Sequence, residues 1–305
     1  LVIPRIVTAP IGVALLCTME FYRKKFVAHK SLKLLMACHA FWILVYCIET
    51  FIDSVMTAIE YYTATEPADI LLTSTQCLLR QLPDALALYG SVSSMLAMAL
   101  ERREASLNFA TYEREGRSNG NFHAIIHLVI VFIFGGVMAF TYKYPTRTPH
   151  CAIVSPGGLI DLRIVNMILL LMEIATIYLF ASQLRKNNKL LHDETVIRSL
   201  TEKYQLSENI RMVKLFLPVV GTHTTLTVLG LIAFFCFQLT GWGPDYYPMF
   251  EDCVNFIYMQ GIFMPLIFYY RYRQQKQHER EVVTSNRPTG EAYRNRHTDA
   301  IQKGW

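Results

Sequence analysis

The chain has no P-loop, no glycine-rich dinucleotide fingerprint and no internal repeat. The first two absences remove the common sequence signs of nucleotide chemistry. The third argues against a transporter built from repeated halves. Asp, Glu and His residues stand apart from one another, so neither a catalytic metal site nor an activated nucleophile is indicated, and the chain does not read as an enzyme. Charge is scarce as well: 17% of the 305 residues are charged, and 52% are hydrophobic. An average soluble domain has more of the first and less of the second.

What is present is a series of seven long apolar stretches, at Val2–Phe21, Ser31–Ile59, Leu78–Leu100, Ala124–Tyr142, Ile164–Leu184, Met212–Leu239 and Phe250–Tyr270. A helix needs ~20 apolar residues to cross the ~30 Å hydrocarbon core of a bilayer. Lipid offers no hydrogen bonds to the backbone, so spans of this length are α-helices. The expected fold is an all-α membrane protein, a bundle of seven transmembrane helices.

Lys and Arg are lacking in alternate gaps between these stretches. The gaps after spans one, three and five, together with the tail, hold 24 of the 29 basic residues. The other side has only Arg5, Arg80, Lys143, Arg147 and Arg163. Basic residues stay cytoplasmic, so the amino terminus is expected outside and the carboxyl terminus inside. The net charge of +5 is this bias, assisted by anionic headgroups, and no argument for nucleic acid. A channel of the insect odorant type also has seven spans but places its amino terminus inside, against the charge distribution.

Residues 1–270 are expected to form the bundle and 271–305 a cytoplasmic tail. Asn187–Asn209 is polar and mostly free of helix breakers, and is expected to extend spans five and six into the cytoplasm. Arg271–Val283 is expected as a helix on the membrane surface, followed by disorder around Pro288 and Gly290. The chain begins at Leu1 rather than Met, so an outer amino-terminal segment is expected ahead of it.

Cys17, Cys38, Cys47 and Cys236 lie within apolar spans and read as packing residues; Cys253 sits near the outer end of span seven. Cys77 and Cys151 both fall on the oxidising outer side. A bond between them would tether the second outer loop to the head of span three, although sequence alone does not fix the pairing.

Ionisable groups inside spans are costly and default to functional candidates. Glu49 and Asp53 are four apart in span two and share a face. Asp84 lies seven residues below Cys77, and Arg80 is four residues before it on the same helix. Arg80 and Asp84 are expected to pair at the outer rim of a ligand pocket whose wall is shaped by Glu49, Asp53 and Tyr89. Glu173 and His223 sit near the midplane of spans five and six and are expected to make a polar contact. His123 and His127 share a face, but no third ligand follows nearby and no metal site is expected. Arg102 follows Cys77 by 25 residues, or ~37 Å of helix, which carries the chain from the outer face to the inner one. An acid–arginine pair there, Glu101-Arg102, fits a latch; Arg snorkelling to headgroups is the plainer alternative.

The blocks Cys77-Leu78-Leu79-Arg80-Gln81-Leu82-Pro83, Glu101-Arg102-Arg103-Glu104-Ala105-Ser106, Tyr112-Glu113 and Lys203-Tyr204-Gln205-Leu206-Ser207-Glu208-Asn209-Ile210-Arg211, running into Leu217-Pro218, resemble the nematode serpentine chemoreceptors of the Sra superfamily, class ab above all. Two departures stand out: Ser106 where Thr is expected, and unusual charge at Arg103 and Glu104. Met264-Pro265-Leu266-Ile267-Phe268-Tyr269 only partly resembles the Asn-Pro-x-x-Tyr element of rhodopsin-like receptors. The resemblance implies a G-protein-coupled chemosensory receptor of the plasma membrane, and of the sensory cilium, with an external small-molecule ligand and a cytoplasmic heterotrimeric G protein as partners and no cofactor. Glu101, Arg102, Arg103, Tyr112, Lys203 and Arg211 are the expected coupling residues. Pro218, Pro265 and Phe268 are the expected switch elements. A polytopic transporter and a ligand-gated channel are the competing functions.

Overall fold

The computed structural model describes residues 2–25, 29–66, 71–108, 112–141, 147–148, 162–192, 200–240, 250 and 256–285. Seven long helices account for nearly all of them: α1 Val2–Lys25, α2 Lys30–Thr63, α3 Ser74–Leu107, α4 Tyr112–Thr141, α5 Leu162–His192, α6 Leu200–Thr240 and α7 Gln260–Ser285. The α3 start is fixed by a capping box in which Thr73 and Gln76 satisfy each other's end of the helix. His29 caps α2 by accepting from the Ser31 backbone N–H.

Two boundaries differ from the sequence expectation. The continuous part of span seven begins at Gln260, after Phe256 and a 3-10 turn at Ile257–Met259. Residues 251–255 lie outside the described residues. At the other end α7 runs through to Ser285, so the expected surface helix at Arg271–Val283 is a direct extension of the span. No Gly or Pro falls between Tyr270 and Ser285 to end it. Helices α5 and α6 extend beyond their apolar parts to His192 and back to Leu200, as the polar stretch between them suggested.

Among the described residues, five helices are long and apolar enough to cross a membrane: α1, α2, α4, α5 and α6. The less apolar α3 occupies the middle of the bundle, packed by α2, α4, α5 and α6, where the other helices shield it from lipid. Its buried face is rich in small residues, including Ala85, Ala87, Ser91, Ser93, Ser94, Ala97 and Ala99, which let neighbouring helices approach closely. Helix α7 closes the bundle between α1 and α6. The surface is inverted relative to a soluble protein. Phe132, Ile133, Phe140 and Leu171 face outward while Glu101, Glu173 and His223 are buried. Apolar side chains on the outside and polar ones within suit a hydrocarbon solvent.

At the end of the bundle where α3 begins, a two-residue strand, β1 Leu72–Thr73, pairs antiparallel with β2 Arg147–Thr148. The pairing ties the second outer loop to the residues just ahead of α3. Cys77 is fully buried and disulfide-bonded; Cys151 lies outside the described residues.

Close packing against α3 generates a test. A Cβ at Gly90 would stand 2.2 Å from Cδ2 of Trp42 and 2.4 Å from its Cγ. That ring is held in place by a hydrogen bond to His127. A Cβ at Gly135 would meet only the tip of Leu86, at 2.3 Å from Cδ2, and that flexible side chain turns aside. Gly90→Ala is expected to cost about 2 kcal/mol as overpacking, with Gly135→Ala near neutral. Thermal unfolding in detergent measures both, and equal shifts would contradict this account.

Candidate functional site

Three polar clusters lie along the bundle. The innermost is built on the last turns of α3. Arg102 Nε donates to Glu101 Oε2 at 2.5 Å and Nη2 to Glu101 Oε1 at 2.6 Å. Two parallel bonds from guanidinium to carboxylate are the strong form of this contact. The remaining fork nitrogen, Nη1, donates to Asn209 Oδ1 on α6 at 3.3 Å. Asn209 Nδ2 donates to Ser106 Oγ at 2.7 Å, and Asn187 Nδ2 of α5 donates to the same oxygen at 3.0 Å. Ser106 in turn donates to the Arg102 carbonyl at 2.8 Å. Its hydroxyl thus uses one donor and two acceptor sites, its full capacity. Ser in place of the expected Thr keeps that hydroxyl. Gln183 of α5 adds a bond to the Ala99 carbonyl at 2.7 Å.

Burial gives this cluster its weight. Glu101 is 0% and Arg102 3% exposed. Snorkelling toward headgroups would leave the guanidinium at the surface, so the buried pair speaks against that alternative. Removing one partner would strand a buried charge. The other expected coupling residues lie on α3, α4 and α6. Arg103 and Lys203 are exposed and Arg211 is half-buried. Tyr112 opens α4, with its side chain outside the described set.

The middle cluster joins five helices. Glu173 Oε1 of α5 lies 2.9 Å from His223 Nε2 of α6, and Thr224 Oγ1 donates to Glu173 Oε2 at 2.5 Å. The other His223 nitrogen, Nδ1, lies 2.8 Å from Gln260 Oε1 on α7. Gln260 Nε2 donates to Thr227 Oγ1 at 3.1 Å. Both nitrogens of His223 therefore face acceptor oxygens, which a doubly protonated ring satisfies with Glu173 as counter-charge. A half-turn of the Gln260 amide, with Thr227 donating to it, serves the neutral ring equally. The His39 ring of α2 stands edge-on at 5.0 Å from His223, and its Nδ1 lies 2.9 Å from Ser94 Oγ of α3.

His127 lies in a separate bridge. Trp42 Nε1 donates to His127 Nε2 at 2.8 Å, which leaves Nδ1 to donate to Ser93 Oγ at 2.8 Å. His123 instead lies 3.2 Å from Glu104. The two histidines share a helix face but serve different neighbours.

Among the described residues Arg80 does not pair with Asp84 as expected. Arg80 turns across to α2, where Nη1 donates to Glu60 Oε2 at 3.1 Å and Nη2 pairs with Glu60 Oε1. Asp53 lies at 3.9 Å. Two carboxylates on the facing helix offer the fork a bidentate partner, which outcompetes a single carboxylate one turn away. Glu49 and Asp84 are half-buried. Tyr89 is buried against Phe134 of α4 at 5.4 Å, in the core rather than on an open wall. Of the switch residues, Pro218 lies within α6, and Pro265 is buried within α7. Phe268 packs on Phe216 at 6.3 Å.

Sequence reasoning missed Glu60, Gln183, Asn187, Gln260 and His39 as members of these clusters. The signal for most of them was an amide or imidazole standing alone in an apolar stretch, the same signal that marked Glu173 and His223.

The protein is thus a seven-helix bundle with a buried acid–arginine pair at one end of its central helix. A family model described as serpentine type 7TM GPCR receptor class ab chemoreceptor matches residues 2–302, and the chain belongs to that family. It is similar to serpentine receptor class alpha/beta-14 of Caenorhabditis elegans, at 26% identity over 216 residues, covering 69% of this chain and 55% of that protein. The chain thus spans about half the length of the curated relative it matches. It is a multi-pass membrane protein of a receptor family, not of an enzyme family.

The middle cluster yields a stability test. Interhelical hydrogen bonds in membranes contribute about 1 kcal/mol each. Glu173→Leu removes two and is expected to cost roughly 2 kcal/mol; Glu173→Gln keeps one acceptor and is expected to cost about half as much. Unfolding in lipid–detergent micelles reads both. A Leu variant as stable as the parent would show that the cluster holds nothing together.

Proposed function

We propose that the protein is a chemosensory receptor of the plasma membrane, with its amino terminus outside and its carboxyl terminus inside. It detects an external small molecule and activates a cytoplasmic heterotrimeric G protein. The observation that carries this reading is the Arg102 fork, shared between Glu101 on its own helix and Asn209 on α6. Such an arrangement holds α3 and α6 together in the resting state and frees a cation when they part. Arg103, Lys203 and Arg211 surround it with positive charge, and Tyr112 begins the neighbouring helix. The ligand enters from the outer side, among α2, α3, α5, α6 and α7, with Arg80, Asp53, Glu49 and Asp84 at the rim. A Cys77–Cys151 bond tethers the loop above; the β1–β2 pairing supports it by holding Thr148 opposite Leu72.

The test is a G-protein reporter in cells expressing the full-length receptor, screened against volatile and water-soluble metabolites. Asn209→Ala removes both hydrogen bonds of that amide to α3, from Arg102 and to Ser106, but leaves the Glu101–Arg102 pair intact. At about 1 kcal/mol for each bond, ligand-independent signalling should rise roughly 30-fold. Arg102→Gln made together with Glu101→Gln avoids a stranded carboxylate and is expected to abolish signalling with surface expression retained. Normal signalling amplitude in that double variant would refute the latch.

A further inference from the structure

We infer that the lipid-facing side of α5 is a binding site for a polyanionic phospholipid of the inner leaflet, a phosphoinositide in chemical class. The cytoplasmic placement of this end rests on the orientation proposed above. A groove of about 630 Å³ runs along one face of the helix. Ile174, Ile177, Tyr178 and Ala181 form its apolar part. They recur at intervals of three and four, so they make one continuous stripe. The stripe is turned away from the bundle: Tyr178 is 69% and Ile174 55% exposed. At the cytoplasmic end the same groove is lined by Arg185, Lys186 and Lys189.

The dimensions match one leaflet. Ile174 follows Glu173, the buried residue of the mid-bundle cluster, and Arg185 comes eleven residues later, ~16 Å along the axis. Half of a hydrocarbon core is ~15 Å. An acyl chain laid on the stripe would bring its headgroup to the three cations.

The charges are complementary to such a headgroup and unanswered among the described residues. From Ile174 to His192 the helix contains no Asp or Glu. The one carboxylate beside the groove, Glu173, points inward and is 0% exposed. Arg185, Lys186 and Lys189 make no hydrogen bond or ion pair among the described residues. Three positive charges within about one turn exceed the single net charge of a phosphatidylserine headgroup. They suit a headgroup with phosphomonoesters, each carrying about −1.5 to −2 at neutral pH. Basic clusters at the cytoplasmic edge of a transmembrane helix recognise such lipids.

The experiment uses the full-length receptor in nanodiscs of phosphatidylcholine with a minor fraction of phosphatidylinositol bisphosphate or, separately, phosphatidylserine. Native mass spectrometry reads the lipid retained. The parent protein is expected to prefer the phosphoinositide over phosphatidylcholine by roughly 100-fold, from three cations at the surface. Neutralising Arg185, Lys186 and Lys189 together to Gln should reduce that preference to near unity. Ala181→Trp, which fills the groove and leaves the charges, should weaken retention as well. Neutralising Arg271, Arg273 and Lys276 in α7 to Gln should leave it near the parent value. Soluble inositol trisphosphate should not displace the lipid. The inference is overturned if the α5 triple variant keeps the parent preference, or if the α7 triple variant loses as much. Equal retention of phosphatidylserine, no effect of Ala181→Trp, or displacement by the soluble headgroup would overturn it too. Both leaflets of the nanodisc are alike and no G protein is present, so this readout is independent of orientation and coupling. Accessibility of a carboxyl-terminal tag in intact cells tests the orientation separately.

Discussion

Hydrocarbon provides no hydrogen bonds, and polar side chains carried into this bundle must therefore find their partners within it, on their own helix or on a neighbour. That constraint decides where the helices sit. Helix α3, with Ser91, Ser93, Ser94 and Ser106 buried along it, takes the centre, shielded by α2, α4, α5 and α6. Trp42 reaches α4 through His127, which in turn bonds Ser93 of α3. Asn187 and Asn209 meet on one hydroxyl of α3, Ser106. An apolar contact tolerates sliding; a hydrogen bond between two helices fixes both register and rotation. The polar ties thus specify the arrangement that apolar packing merely fills.

The spans and their order were legible because they depend on runs of residues rather than on faces. The Glu101-Arg102 pair and the Glu173/His223 pair were legible because a charge in an apolar stretch is conspicuous at any rotation. Their partners were not. Asn209 was visible in a polar block before span six, but nothing in the sequence turns its amide toward Arg102 rather than toward headgroups. Asn187 was hidden similarly in the polar stretch after span five. Arg80 shows the limit most clearly. Spacing along one helix pairs it with Asp84, and only the rotation of α2 against α3 brings Glu60 and Asp53 to it instead. The late start of α7 was also illegible, because a 3-10 turn and an α-helix share the same apolar composition.

The inner and middle clusters have one element in common. Asn209 and His223 both belong to α6, on either side of Pro218. Proline has no N–H, so the Lys214 carbonyl lacks its helical donor at that point. Thr222 donates to the Pro218 carbonyl at 3.0 Å and adds a side-chain bond in the turn that follows. The ladder is therefore weakest between the two clusters. His223 is tied to Glu173 on α5 and to Gln260 on α7, so the outer half of α6 is anchored on two sides. The inner half is held to α3 through the Asn209 amide, which accepts from Arg102 at 3.3 Å and donates to Ser106 at 2.7 Å. A bend at Pro218 would break the inner tie and leave the outer ones in place. That order follows from number among the described residues, two polar bonds at the inner end against four at the other, with no contiguous pathway of motion required between the two ends of the bundle.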